Sequence, residues 1–178
     1  MEFYRGINFW DKDDEELSPP LTDLAIQEAE KKLGVILPQS YLKLLHEQNG
    51  GTPNYPYFIV GEKSISMSYM DGIDLEGAER GIGILKSKEW TKEAGLPKNL
   101  VVLWTDIHTW LVLDYRNSVT EPSVVCFYED YSSSMSMEWK SSVIAPNFDS
   151  FLTKLFRRSK LNPKDLKTSY GRKKGKPC

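Results

Sequence analysis

Two histidines set a narrow limit on proton transfer and metal chemistry in this chain of 178 residues. His108 lies between Asp106 and Asp114, residue types that could orient a general base or supply part of a metal shell. One imidazole with turn carboxylates is a poor transition-metal site, and a turn histidine beside an aspartate is ordinarily solvated. His46 falls near the C-terminal end of a helical pattern, where a cation complements the helix dipole, so a structural role is expected. Nucleophiles find no more support. The chain has no GxSxG elbow, and Cys126, inside the apolar run VVCFY, reads as a buried hydrophobe and not a reactive thiolate. Gly81-Ile82-Gly83 lacks the third glycine of a dinucleotide loop and the Lys-Ser/Thr ending of a P-loop. Carboxylate pairs such as Glu129-Asp130, or Asp71 with Asp74, have nothing to distinguish an acid from a base. The residues therefore predict no enzyme, no metal site and no cofactor.

Charge points to a partner of a different kind. Of 23 Lys/Arg and 25 Asp/Glu, nine basic residues and a single acid lie in 157–178, a net of +8, leaving the preceding 156 residues at −10. An acidic body repels phosphate backbones and is steered toward basic partners, although acidity also serves solubility alone. The longest apolar runs, VVLW and WLVL, are strand-sized, and the N-terminus MEFYRGINFWDKDDEE is acidic where a signal peptide would be basic and then apolar. A cytoplasmic protein with no membrane contact is expected. Two cysteines, Cys126 and the last residue Cys178, do not make a disulfide framework.

The elements that must position any site begin with LTDLAIQEAEKKLGVILPQSYLKLLHEQNGG, residues 21–51. Thr22 is a good N-cap, Leu21 before it can staple onto Ile26, and Pro19-Pro20 keep an upstream helix from running through. Ile26, Ala29 and Leu33 form one apolar stripe, and Gly34 suits a left-handed C-cap. Pro38 sits where a first-turn proline is tolerated; Tyr41, Leu42, Leu44 and Leu45 form a broader apolar face that Asn49-Gly50-Gly51 ends. The spacing predicts helices over 22–33 and 38–48, too short to be stable alone and so built to lie on a sheet.

Upstream, Phe3, Tyr4, Ile7, Phe9 and Trp10 read as a lid, followed by the acidic connector DKDDEELSPP. Downstream, YPYFIV and SISMSYM read as strands, and ILKSKEWTKEA as a helix ending at Gly95. LVVLW, TWLVLDY and SVVCFYE form an antiparallel meander, MSMEWKSSVIA a last strand, and Asn147 caps a final helix carrying Phe148, Phe151, Leu152, Leu155 and Phe156. Trp104 and Trp110 are expected to anchor the core or one sheet face; Trp10, Trp90 and Trp139 are expected half exposed. The fold class is α+β: an antiparallel sheet of about five to six strands, with the N-terminal helical hairpin and the C-terminal helix packed against it.

Taken together, Pro20-Leu21-Thr22, Ile26, Glu30, Leu33-Gly34, Leu37-Pro38, Tyr41, Leu44-Leu45 and Asn49-Gly50-Gly51, then Trp110, Leu113-Asp114-Tyr115-Arg116, Glu121-Pro122-Ser123-Val124-Val125 and Phe148 with Phe151-Leu152, resemble the SMI1/KNR4 family of the SUKH superfamily. The resemblance covers roughly residues 10 to 156, and the ordered set of motifs carries it. Two departures are visible: the loop usually written with glycines before the tryptophan reads Thr105-Asp106-Ile107-His108-Thr109, and the basic tail is outside the family core.

The chain is expected to divide into an N-terminal lid and acidic connector (1–20), the SMI1/KNR4-like domain that the resemblance implies (21–158) and a basic tail too poor in apolar residues to order itself (159–178). Its bacterial members are immunity proteins that bind a cognate polymorphic toxin, often a nuclease, without doing chemistry; fungal relatives are scaffolds in cell-wall regulation. It implies for this chain a non-catalytic immunity protein whose acidic body covers a basic cleft of a toxin. A general interaction or regulatory module without a toxin is the alternative, and weak nucleic-acid contact through the tail a third. No small-molecule substrate is implied. Motif residues Leu33, Gly34, Leu37, Pro38, Tyr41, Leu45, Asn49, Gly50, Trp110, Asp114, Tyr115 and Pro122 would serve the scaffold. Specificity would then reside in loops and sheet edges at Tyr55, Asp71, Asp74, Glu129, Asp130 and Tyr131.

Residues 159–178 carry only Leu161, Leu166 and Tyr170 as sizeable apolar groups, too few for burial to offset the backbone entropy of ordering. Exposed ion pairs with the acidic body contribute about 0–1 kcal/mol each and are screened by salt. Truncation after Arg158 should leave the urea midpoint and partner affinity nearly unchanged; a loss beyond about tenfold, roughly 1.4 kcal/mol, would place the tail in the functional surface.

Overall fold

A computed structural model of the chain describes residues 1–13, 18–76, 83–131 and 137–158. The acidic run at 14–17, the Gly81-Ile82 pair and the basic tail from 159 lie outside the described residues.

The helical hairpin follows its local chemistry. Helix α1 spans Asp23–Leu33, with Thr22 Oγ1 accepting from the Ala25 amide at 3.1 Å and Gly34, at φ 76°, closing the last turn onto Glu30 O at 2.7 Å. The Glu30 side chain also accepts from the Leu37 amide at 2.8 Å, which fixes the apolar link between the helices. Helix α2 spans Gln39–Glu47 with Pro38 as its N-cap, and it buries Tyr41, Leu42, Leu44 and Leu45. It ends because Gln48 turns extended, ahead of Asn49 and the glycines.

Two four-stranded antiparallel sheets replace the single sheet of five to six strands expected from sequence. The smaller has the order β1 (Glu2–Phe3), β8 (Phe156–Arg157), β2 (Tyr57–Val60), β3 (Lys63–Ser66). The larger is the meander β4 (Leu100–Thr105), β5 (Thr109–Asp114), β6 (Ser123–Asp130), β7 (Glu138–Ala145). The split arises because the chain ends return to the β2–β3 hairpin: Phe3 pairs with Phe156, and Phe156 with Tyr57. The run SISMSYM is a strand only to Ser66; beyond it the Met67 amide donates to Pro56 O and Met70 forms an isolated bridge with Gly51.

The length of the last helix and the exposure of Trp10 are corrected. The last helix, α4, covers only Phe148–Leu152 after its Asn147 cap; the chain tightens at Lys154 and Leu155, and Phe156 is buried as a strand residue. Of the N-terminal aromatic and apolar residues expected to pack onto the domain, Tyr4, Phe9 and Trp10 belong to the main core, where the Trp10 indole donates to Leu44 O at 2.8 Å, while Phe3 and Ile7 stay exposed. Trp10 is therefore buried, not half exposed.

The meander is packed on both faces. Val101, Leu103, Leu111, Leu113, Val124 and Cys126 face the main core that also holds the helical hairpin and α4. Val102, Val112, Val125, Phe127 and Trp110 face a second cluster with Leu96, Trp90 and Trp139. A register shift between Val102 and Trp104 inserts Leu103, so Trp104 joins Leu103 in the main core while Trp110 faces the other way. A 3₁₀ turn (Ile84–Lys86) leads into α3 (Ser87–Glu93), where buried Ser87 Oγ accepts from the Val102 amide at 2.8 Å and satisfies the β4 edge.

Leu45 is 1% exposed at the centre of the main core. Leu45→Ala should cost about 2–5 kcal/mol in urea unfolding, through lost transfer energy and the cavity left behind; a change within about 0.5 kcal/mol would remove Leu45 from the core.

Candidate functional site

A cleft of about 620 Å³ opens where the tip of the β2–β3 hairpin overhangs one end of the meander. Val60 pairs with Lys63, so Gly61 and Glu62 form a tight two-residue turn that projects over the sheet. The floor comes from neighbouring strands: Thr109 pairs with Tyr128, and Cys126 with Ser142. At the rim, Glu129 Oε2 receives the Tyr131 hydroxyl at 2.7 Å and lies 2.9 Å from His108 Nδ1. The Tyr131 hydrogen bond and then the His108 contact hold the Glu129 carboxyl below its usual range. Tyr131 is 64% exposed, so an aromatic ring is presented to solvent while its hydroxyl is fixed. Asp130 is in an ion pair with Lys140 on the adjacent strand.

Nothing in this arrangement supplies an activated nucleophile. Cys126 lines the cleft from within the sheet, and burial pushes its thiol up to about 12, so it stays protonated. His108 is exposed and tied to Glu129, not to a hydroxyl that it could deprotonate. Among the described residues no group of three or more His, Cys, Asp or Glu is placed to hold a metal ion. The cleft can offer hydrogen bonds, carboxylate charge and an aromatic contact, which are the means of recognition.

The six residues expected to face a partner divide three ways. Glu129, Asp130 and Tyr131 stand together at the end of β6, and two of them line the cleft. Asp71 and Asp74 lie in the loop after Met70, where Asp74 is 2% exposed and its carboxylate accepts from the Glu76 amide at 3.0 Å. Tyr55 is 6% exposed, packed edge-on against Tyr4 at 5.4 Å with the Arg157 guanidinium over its ring at 4.9 Å. Tyr55 and Asp74 are thus corrected from surface positions to buried ones, because returning chain ends and the Gly83 backbone cover them. Sequence reasoning missed Glu62, Lys63 and Tyr128, since only the overhang of the hairpin brings them to the cleft.

Three of the motif residues, Tyr41, Tyr115 and Asp114, make specific bonds within the fold. Tyr41 Oη donates to Asp71 O at 2.5 Å, and Tyr115 Oη to Ile36 O at 2.8 Å, tying the hairpin link to the end of β5. Arg116 Nη2 holds buried Asp114 at 2.6 Å and its guanidinium lies 5.7 Å from the Phe127 ring centroid.

Burial pushes the Asp71 carboxyl up to about 7, only partly opposed by the hydrogen bond from the Gly83 amide at 3.3 Å. A carboxyl with a raised native value binds its proton more tightly folded than unfolded. Its stabilising contribution is full below about pH 4 and is lost as pH rises to about 7, with a slope approaching about 1.4 kcal/mol per pH unit. Asp71→Asn keeps the oxygen that accepts from Gly83 and removes the titration. It should therefore be more stable than the parent above pH 7, with the difference vanishing toward pH 4; parallel urea midpoints across that range would contradict the burial of this carboxyl.

With this geometry in hand, the comparisons are brief. No curated protein matches the chain. The model of the SMI1 / KNR4 family (SUKH-1) matches residues 20–154, well over half of the sequence and the whole span from the Thr22 cap to the end of α4. This protein belongs to the SMI1/KNR4 family, SUKH-1.

Proposed function

We propose that this protein is a cytoplasmic immunity protein, a non-catalytic domain that binds a basic cognate toxin such as a nuclease and occludes its active cleft. The observation that carries the reading is the concave site at the overhang of the two sheets, where Glu129 and the exposed ring of Tyr131 stand at the end of β6 opposite Glu62 in the β2–β3 turn. A charge of −10 over residues 1–156 supports it, because it favours encounter with a basic surface and disfavours nucleic acid. Family membership supplies the toxin step, since immunity is what the resemblance implies. Among the described residues no helix is long and apolar enough to cross a membrane. The binding unit is the body through residue 158, with the basic tail dispensable.

Co-expression with the product of the adjacent upstream reading frame tests this. Growth arrest caused by that product alone should be relieved, and calorimetry should show a direct complex. Tyr131→Ala and Glu129→Ala should each weaken the complex by about tenfold or more, roughly 1.4 kcal/mol. Survival of toxicity with no complex would favour the alternative, a regulatory interaction module without a toxin.

A further inference from the structure

On the other side of the β4–β5 turn lies a second groove, and the turn itself is strained. Ile107 has φ 80°, a left-handed conformation that crowds a β-branched side chain, and it is 71% exposed. The conformation is locked by side chains: Thr105 Oγ1 accepts from the Ile107 amide at 2.9 Å, and Asp106 Oδ1 from the Thr109 amide at 2.6 Å. Ile107 O in turn accepts from the Trp110 indole at 2.8 Å. A large apolar side chain is thereby held out in water by a backbone that a glycine would adopt freely.

Beside it, Trp90, Ala94, Ile107 and Trp110 wall a groove of about 450 Å³, with the exposed carboxylate of Glu93 at its rim and that of Asp106 on the adjoining turn. The walls are preorganised. Trp139 meets Trp110 edge-on at 6.4 Å and its indole donates to Ala94 O at 2.8 Å. Aromatic faces beside carboxylates favour a cationic or apolar side chain and disfavour an anionic one.

We infer that this groove is a docking site for a lysine- or arginine-flanked apolar segment of a basic protein partner, with exposed Ile107 and half-buried Trp90 as its anchors and buried Trp110 as the wall behind them. The inference rests on the reading of the protein as a binder of a basic partner and assigns that partner a second contact. The turn joins the two sites: His108 and Thr109 line the first cleft, and Ile107 and Thr105 the groove. One partner surface can therefore grip the meander from both sides of the turn. Fixed aromatic anchors lose little side-chain entropy on binding, which makes a strained, pre-set turn useful to recognition.

The test is nuclear magnetic resonance on the full chain, titrated at low salt with the synthetic peptide acetyl-Arg-Ile-Arg-Leu-Arg-amide and, separately, with the same peptide bearing Glu for Arg. The basic peptide should shift the Trp90 and Trp110 indole signals and the amides of residues 105–109 saturably, and the acidic one should not. Ile107→Gly should raise the melting temperature by about 2–4 °C by releasing the strained φ, while weakening peptide binding at least about threefold. Absence of shifts, equal shifts by both peptides, shifts centred on Glu129 and Tyr131, or concentration-dependent shifts without peptide that mark a second copy in the groove would each overturn the assignment. The toxin complex separates this from the functional reading. If it forms with unchanged affinity in Ile107→Gly, the groove assignment fails and the reading stands; if the peptide fills the groove and no toxin is neutralised, the reverse holds.

Discussion

The carboxamide of Asn49 joins three segments that are distant in sequence. Its Nδ2 donates to Pro19 O and Ile73 O, each at 2.7 Å, and its Oδ1 accepts from the Ile73 amide at 2.9 Å. Asn49 and Ile73 are both buried, so without the carboxamide the Ile73 amide and carbonyl would go unpaired, at about 1–3 kcal/mol for each buried polar group stranded. The approach is close enough to exclude side chains. A Cβ on Gly72 would lie 2.4 Å from Asn49 O, and one on Gly50 would meet the Gly72 amide at 2.9 Å. Two glycines and an amide thus bind the end of α2 to the entry into α1 and to the loop that crosses β4, where the Asp71 amide donates to Leu103 O.

The residues that line the two grooves take no part in that junction. Tyr41, Tyr115 and Asp114 are all spent on holding helices and strand ends in place. The two grooves instead flank the far end of the meander, on strand termini and a turn whose conformation is set by side-chain hydrogen bonds. A sheet with solvent-facing ends can vary its rim chemistry without disturbing its core, which is what the proposed partner binding requires.

The features legible in the sequence were the local ones. Thr22 and Gly34 delimit α1 by chemistry confined to a few residues, and the Asn147 cap of α4 was equally readable. What failed depended on partners remote in the chain. Two-residue strands such as Glu2–Phe3 and Phe156–Arg157 carry no pattern of their own and exist because they pair with each other, which also ended the last helix early. The Leu103 insertion turned Trp104 away from Trp110, a change that no alternation rule foresees. Tyr55 and Asp74 looked like loop polar groups until tertiary contacts covered them. The loop that departs from the family's glycine pattern, Thr105–Thr109, is also where the backbone is strained at Ile107, so that departure was the visible trace of the second groove.

Whether the Asn49 junction is part of the cooperative core is read most directly by native-state hydrogen exchange along a urea series. The Ile73 amide, bonded to Asn49 Oδ1, should exchange only through global unfolding, with the same free energy and the same urea dependence as the Val112 amide in the middle of the meander. Exchange of Ile73 through a local, urea-insensitive opening while Val112 stays protected would show that the junction is peripheral and that the sheet stands without it.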